Sequence, residues 1–342
     1  MSRADRTAEP TYAVVGTGHW GSNHARVAAE LRAEGLVEEA VVCDLDADRA
    51  RETGERHDLP WYTDAAALAD AGVDAATVAT PSPTHRAVAT ELLEAGVDVL
   101  VEKPLAPTAD EAWALVDAAD RAGRTLAVGH IFRHHPAVCA LADRVAAGEL
   151  GTIRHFRTTR FASRVPRAEA GALRSLSVHD VDLFRLLVDD PDGLYCRLDG
   201  GVREGVDDTV TLVLDAGDAT GVLSASWQVP VYRGKHRDLT LVGTEGAAYL
   251  DFLDHTTFEL YDQQVTDGPD GPTAAAPEPE TVTVDADPAE PLRAEVEDFL
   301  AAAARGREPG APGRVGAAAV ELLDAAARSH EAGERLSLDG ER

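Results

Sequence analysis

Tyr12-Ala13-Val14-Val15-Gly16-Thr17-Gly18-His19-Trp20-Gly21 is the stretch whose reading decides the fold. Residues 12–15 have the length and apolar character of a buried strand. They run straight into a full Gly-x-Gly-x-x-Gly. A helix is expected next, because Trp20, His24, Val27 and Leu31 recur at three- and four-residue spacing. In such a strand–turn–helix the first glycine allows a tight turn. The second lets the backbone approach a pyrophosphate, and the third packs helix against strand. The helix N-terminus attracts the anion. The motif alone is weak, but a second apolar run over 37–43 ends at Asp44, the acid that the full fingerprint requires. Gly16, Gly18, His19, Trp20, Gly21 and Asp44 are therefore candidate cofactor contacts. An acid at Asp44 would take ribose hydroxyls and repel a 2′-phosphate, which favours NAD over NADP. Arg49 stands near enough to keep NADP as the alternative. Asp44, with Asp46 and Asp48, also reads as a solvated turn.

Outward from this stretch, short apolar runs alternate with helical patterns. Strands are expected at 75–79, 98–101 and 125–128, with helices over 83–95 and 108–122 between them. Thr108 with Glu111 three residues on has capping-box spacing. This alternation predicts a parallel sheet with helices on both faces. After about residue 130 the pattern changes. Helices over 136–147 and 178–187 bracket an extended stretch at 152–161. Strand-like runs then follow one another at 209–214, 221–227, 239–242, 247–252 and 257–261, separated by turn residues. Sequential strands without helices between them predict an antiparallel sheet. Residues 267–279, rich in Pro, Gly, Ala and acid, read as an exposed loop, and helices are expected over 291–304 and 314–332.

Two segments follow strands and so fall where open α/β sheets place ligands. Thr80-Pro81-Ser82-Pro83-Thr84-His85 offers hydroxyls on a proline-stiffened loop, and equally reads as a helix start. Glu102-Lys103-Pro104 puts an ammonium into the crevice, where it would bond a substrate hydroxyl and stabilise an alkoxide. Lys103 is one of two lysines in the chain, Lys235 being the other. That scarcity favours a function over an ordinary surface lysine.

These segments together resemble the glucose–fructose oxidoreductase/inositol dehydrogenase/MocA family. The likeness continues through Gly129-His130-Ile131-Phe132-Arg133-His134-His135-Pro136, Ser177-Val178-His179-Asp180-Val181-Asp182, Leu241-Val242-Gly243-Thr244-Glu245-Gly246 and Pro291-Leu292-Arg293-Ala294-Glu295. The resemblance implies an α/β chain in two domains. A doubly wound Rossmann domain would span 1–130. An α+β domain with an open, mostly antiparallel sheet would span 131–342, including the helices within 291–332. It implies NAD(P)-dependent chemistry on sugar-like hydroxyls, no metal, and dimers or tetramers packed through the open sheet. Lys103 and His179 take the catalytic positions, without deciding which is the formal base. Thr80, Pro81, His85 and Glu102 would join Lys103 beside the cofactor. Many members carry an aspartate four residues before the histidine, where this chain has Ser175. Serine cannot hold the charge, so a changed substrate orientation, an NAD-dependent glycoside hydrolase and a non-catalytic NAD sensor all stay open.

On the substrate side, Arg133 would reach cofactor or substrate. Arg160, Arg164 and Arg167 read either as surface salt bridges or as a site for a phosphate or carboxylate. The stretch Gly18-His19-Trp20-Gly21-Ser22-Asn23-His24 resembles nucleotide-sugar dehydrogenases within the family. So do Gly148-Glu149-Leu150-Gly151 leading to Arg160-Phe161, and Ser226-Trp227 followed by Arg237. This implies oxidation at C3 of a UDP-N-acetylhexosamine. Free-sugar and inositol dehydrogenases share every motif.

Composition sets the surroundings. The chain has 342 residues, with 32 basic against 60 acidic and a net charge of −28. Such a field disfavours nucleic acid and anionic membrane as partners. No apolar run has the length of a spanning helix, and residues 1–6 lack the apolar core of a secretion signal. Cys43, Cys139 and Cys196 are three in number and far apart, so a reducing cytoplasm is expected. Acid excess with lysine scarcity points further to a high-salt cytoplasm.

Overall fold

The computed structural model describes residues 9–166, 170–230, 234–262, 265–268, 271–274, 278–287 and 290–338. Two compact units emerge, one of residues 1–131 with 292–321, the other of 132–291 with 322–342.

In the first unit, strands β1 (Thr11–Val15), β2 (Glu39–Cys43), β3 (Trp61–Tyr62), β4 (Ala75–Val78), β5 (Asp98–Val101) and β6 (Leu126–Val128) form one sheet. Its order is β3-β2-β1-β4-β5-β6 and every pairing is parallel. Order reverses beside β1, the switch point at which such sheets open a crevice beyond the strand ends. Helices α1 (His19–Ala33), α2 (Ala47–His57), α3 (Ala67–Asp70), α4 (His85–Glu94) and α5 (Ala109–Ala122) connect the strands. The first strand and helix, and the Thr108 cap accepting from the Glu111 backbone N–H, lie where the sequence places them. Helix α2 went unread because the turn acids also cap it: the Asp46 carboxylate accepts from the Asp48 and Arg49 backbone N–H groups.

The second unit contains α6 (Pro136–Ala146), β7 (Ile153–Ala162), α7 (Val178–Leu187), β8 (Gly193–Asp199), β9 (Thr209–Ala216), β10 (Ala219–Ser226), β11 (Lys235–Gly243), β12 (Gly246–Asp251) and β13 (Thr257–Asp262). A ribbon of β14 (Val265–Gly268) with β15 (Gly271–Ala274) and a strand β16 (Glu280–Thr283) follow. Within the stretch expected as a loop over 267–279, Asp267 and Gly268 pair with Pro272 and Gly271, and residues 269–270 and 275–277 lie outside the described residues. Two helices close the chain, α8 (Pro291–Arg305) and α9 (Gly313–Ala332), before a last strand β17 (Leu336–Ser337). Nine strands make the second sheet, in the order β16-β13-β12-β11-β7-β10-β9-β8-β17. All pairings are antiparallel except β7 with β10.

One boundary differs from expectation. The sequence expectation places the helices over 291–332 in the second domain, yet residues 292–321 pack on the first sheet. Leu292, Val296 and Phe299 join Tyr12, Val14, Leu31 and Leu100 in one core. Ala317 and Val320 join Val99, Val101, Leu115 and Val128 in the other. Both sheet faces are apolar, and α1 to α5 alone do not supply all the burial that a two-faced parallel sheet requires. Gly313 and Gly316 permit close approach, since a Cβ at Gly316 would stand 2.8 Å from a methyl of Val128. Among the described residues no helix is long and apolar enough to cross a membrane.

Gly316→Leu is accordingly expected to destabilise the first unit by about 1–3 kcal/mol through overpacking. Thermal unfolding would show it as a lowered midpoint. An unchanged midpoint would contradict this packing of α9.

Candidate functional site

The glycine turn in the first unit divides its labour among three positions. Gly16 sits at φ +91°, and a Cβ on it would stand 2.7 Å from the Thr80 amide nitrogen. A Cβ at Gly21 would lie 1.7 Å from the Gly16 carbonyl oxygen, so only glycine lets α1 start this close to β1. Gly18 has open space where a Cβ would point, the place at which a pyrophosphate approaches the backbone. The turn therefore fits a dinucleotide on steric grounds. His19 is exposed and Trp20 half-buried beside it.

Asp44 ends β2 with one carboxylate oxygen accepting from the Thr17 N–H at 2.8 Å and the Thr17 hydroxyl at 3.0 Å. The other oxygen accepts from the Asp46 N–H. Arg49, the residue that keeps NADP open in sequence, lies 3.5 Å from Asp44 and 3.3 Å from Asp46. Asp44 is thus a fixed acid at the end of β2, half-buried, and not merely a solvated turn residue.

Thr80 and Pro81 follow β4, Pro81 exposed and Thr80 half-buried, and the Thr84 hydroxyl donates to Thr80 Oγ1 at 2.8 Å. His85, expected beside the cofactor, is buried instead. Its ring nitrogens meet the carbonyl oxygens of Pro104 at 3.0 Å and Thr80 at 2.8 Å. It therefore ties the loop after β4 to the loop after β5. Burial holds its pKa below the usual value despite the two carbonyls.

Beneath that second loop is a group of buried acids and bases. Lys103 is half-buried, and its backbone N–H donates to Glu102 Oε2 at 3.1 Å. Glu102 Oε1 lies 3.0 Å from Nε2 of His24, which is fully buried on α1. Burial pushes the Glu102 carboxyl up, but the bond to His24 and the charges of His24 and Lys103 outweigh it and hold it low. Glu295 on α8 is also buried, and neither of its oxygens has a hydrogen-bond partner. Burial, then the nearby Glu102 and Asp298 charges, raise its pKa well above the carboxylate range. In sequence Glu295 stands only within the helix start Pro291-Leu292-Arg293-Ala294-Glu295. An acid amid the apolar spacing of α8 was the available signal.

In the second unit, His179 lies in the first turn of α7, 8% exposed, edge-on to Phe132 at 5.0 Å between ring centroids. Ser175 lies in the π-helical turn Leu173–Ser177 that leads into α7, its hydroxyl 3.4 Å from the Ala170 carbonyl oxygen. The arginines expected to face substrate differ in what they touch. Arg133 donates from Nε to both oxygens of Asp182 at 2.9 Å. Arg160 is 2% exposed, bonds Asp180 at 2.5 Å, and lies 4.4 Å from the Phe132 ring centroid and 4.7 Å from that of Phe252. It is held by a buried carboxylate and two aromatic faces. Arg164 is exposed, and Arg167 lies outside the described residues. Among the described residues, no cluster of three or more metal-ligating side chains occurs.

Glu295 generates a signed prediction. A carboxyl whose pKa is raised on folding takes a proton that the unfolded chain gives up above about pH 4.3. Its contribution to stability is present at low pH and is lost as pH rises. Glu295→Gln should therefore raise the unfolding midpoint more at pH 7 than at pH 4. An equal effect at both would contradict a raised Glu295 pKa.

Residues 11–130 match the oxidoreductase family with the NAD-binding Rossmann fold, and residues 138–249 match the GFO/IDH/MocA C-terminal domain. The chain is 32% identical over 297 residues to UDP-N-acetylglucosamine 3-dehydrogenase of Acidithiobacillus ferrooxidans, covering 86% of this chain and 88% of that protein. A solved structure of that dehydrogenase superposes with a TM-score of 0.81 at 28% identity, over 95% of this chain and 99% of the other. Levoglucosan dehydrogenase in complex with NADH and levoglucosan superposes with a TM-score of 0.85 at 22% identity, over 96% and 99% of the two chains, and shows the shared fold. The chain is an NAD-binding oxidoreductase and belongs to the GFO/IDH/MocA family.

Proposed function

We propose that this protein oxidises a secondary hydroxyl of a sugar, with C3 of a UDP-N-acetylhexosamine as the favoured target. The observation that carries the proposal is Lys103. It stands at the C-terminal end of β5, half-buried, above the buried pair of Glu102 and His24. An ammonium so placed donates to a hydroxyl and stabilises the alkoxide formed as its proton leaves. Bound NAD supplies the hydride acceptor. His179 exchanges the hydroxyl proton, a task for which an imidazole is matched near neutral pH. Thr80, Pro81 and Glu102 shape the cofactor side, and Ser175 borders the substrate. The 32% identity to a dehydrogenase of a nucleotide sugar favours that class over free sugars and inositol.

The surroundings proposed with this activity are a cytoplasm of high salt and a homo-oligomer joined through the nine-stranded sheet. Sixty acidic residues and two lysines support the first. Salt screens the mutual repulsion of a chain at −28. The unfolding midpoint should therefore rise with potassium chloride concentration, and a midpoint indifferent to salt would contradict this setting.

Lys103→Ala and His179→Ala are each expected to lower kcat by roughly 10²–10⁴-fold, the worth of a positioned acid–base group. NAD affinity, followed by calorimetry, should change far less. Absorbance of reduced nicotinamide with NAD and UDP-sugars, free sugars and inositols reads the turnover. Wild-type turnover in both variants would contradict the assigned roles. Retained NAD with no reduction by any sugar would favour the hydrolase or sensor that Ser175 leaves open.

A further inference from the structure

The antiparallel register of β7 and β11 sets Arg237 directly opposite Arg160, and Lys235 opposite Ala162. Opposed residues of such a pair share one face of the sheet, and like charges facing each other are destabilising. On this face Asp180 bonds Arg160, and its charge acts on Arg237 only at longer range, without an ion pair. Arg164 follows β7 at once, its backbone N–H donating to the Trp227 carbonyl at 3.0 Å. Among the described residues, Arg164, Lys235 and Arg237 make no ion pair with any carboxylate, although the chain carries sixty. Burial, then the charges of Arg160 and Arg164, pull Arg237 down to about 10. The Arg237 charge, with burial and Arg164, lowers Lys235 too. A protein so acidic would relieve this crowding with one surface aspartate. Leaving it only partly relieved costs stability that an incoming anion would return.

We propose that Arg164, Lys235 and Arg237 form a subsite of the second unit that takes the diphosphate of a nucleotide-linked sugar. Three cations match a doubly charged group better than a single carboxylate, and guanidinium forks fit phosphoryl oxygens in pairs. Of the cluster Arg160, Arg164 and Arg167 expected from sequence for this task, Arg160 is enclosed by Asp180, Phe132 and Phe252, while Arg164 belongs to the subsite. The neighbours of Arg160 on the same face take over. The subsite deepens the dehydrogenase reading and rests on it only for what the diphosphate carries.

The test uses the full chain and UDP as probe, with a hexuronate as the carboxylate arm. Arg237→Gln is expected to weaken UDP binding, followed by calorimetry, and to raise KM for a UDP-sugar by at least about tenfold, the worth of one charged hydrogen bond. The loss in kcat should be much smaller. Arg237→Lys should recover part of the UDP binding. The unliganded midpoint of Arg237→Gln should not fall, because a crowded cation has been removed, whereas a structural arginine would lower it. Equal UDP binding in wild type and Arg237→Gln would overturn the subsite, as would a hexuronate binding more tightly than UDP. UDP binding that is lost in Arg237→Gln while no sugar reduces NAD keeps the subsite and removes the dehydrogenase. NAD reduction with UDP binding indifferent to Arg237 does the reverse.

Discussion

The contact between Gly21 and Gly16 is the constraint on which the cofactor side depends. A methyl group at Gly21 would stand 1.7 Å from the Gly16 carbonyl oxygen, a separation no side chain survives. With hydrogen there, α1 begins one turn beyond the end of β1, and its first amides point across the crevice. The sheet is parallel, so β2, β4 and β5 end on the same edge as β1. Asp44, Thr80 and Lys103 each follow one of those ends. One close backbone contact thus converts a strand order into a row of candidate functional side chains.

Beside that row the first unit buries polar groups at a cost. His24, Glu102 and Glu295 are all below a tenth exposed. Desolvating an acid is expensive unless it is paired or protonated, and the two acids take different routes. Glu102 is paired with His24 and carries charge beneath Lys103. Glu295 has no hydrogen-bonding partner among the described residues, and burial pushes its pKa up instead. The second unit meets the same cost differently, enclosing Arg160 and Asp180 as a pair between aromatic rings. Asp98, Asp182, Asp208 and Asp238 are buried as well, so burial of acids recurs in both units of this acidic chain.

Much of this was legible in sequence, for a definable reason. Apolar periodicity reports burial on one face, and it located α7 to the residue and most strands within one or two. It was silent for α2, whose sequence Ala47–His57 is so polar that only its Asp46 cap marks it. It was silent for β8, where glycine, cysteine and charge interrupt the alternation. The placement of 292–321 was hidden because periodicity says that a helix has an apolar face and not which sheet receives it. At the site, glycines and the acid Asp44 could be read because backbone geometry dictates residue type. The contacts of His85 and Arg160 were hidden because both are polar residues turned inward. Only packing reveals that a carbonyl pair or an aromatic sandwich has claimed them.

The most direct measurement follows the hydrogen itself. UDP-N-acetylglucosamine deuterated at C3 would be supplied with NAD to the intact protein, and the nicotinamide analysed for the label. The account predicts that deuterium leaves C3 and appears on the reduced nicotinamide, one atom for each sugar oxidised. Unlabelled nicotinamide with deuterium retained at C3, or a sugar cleaved from UDP without net reduction of NAD, would contradict it.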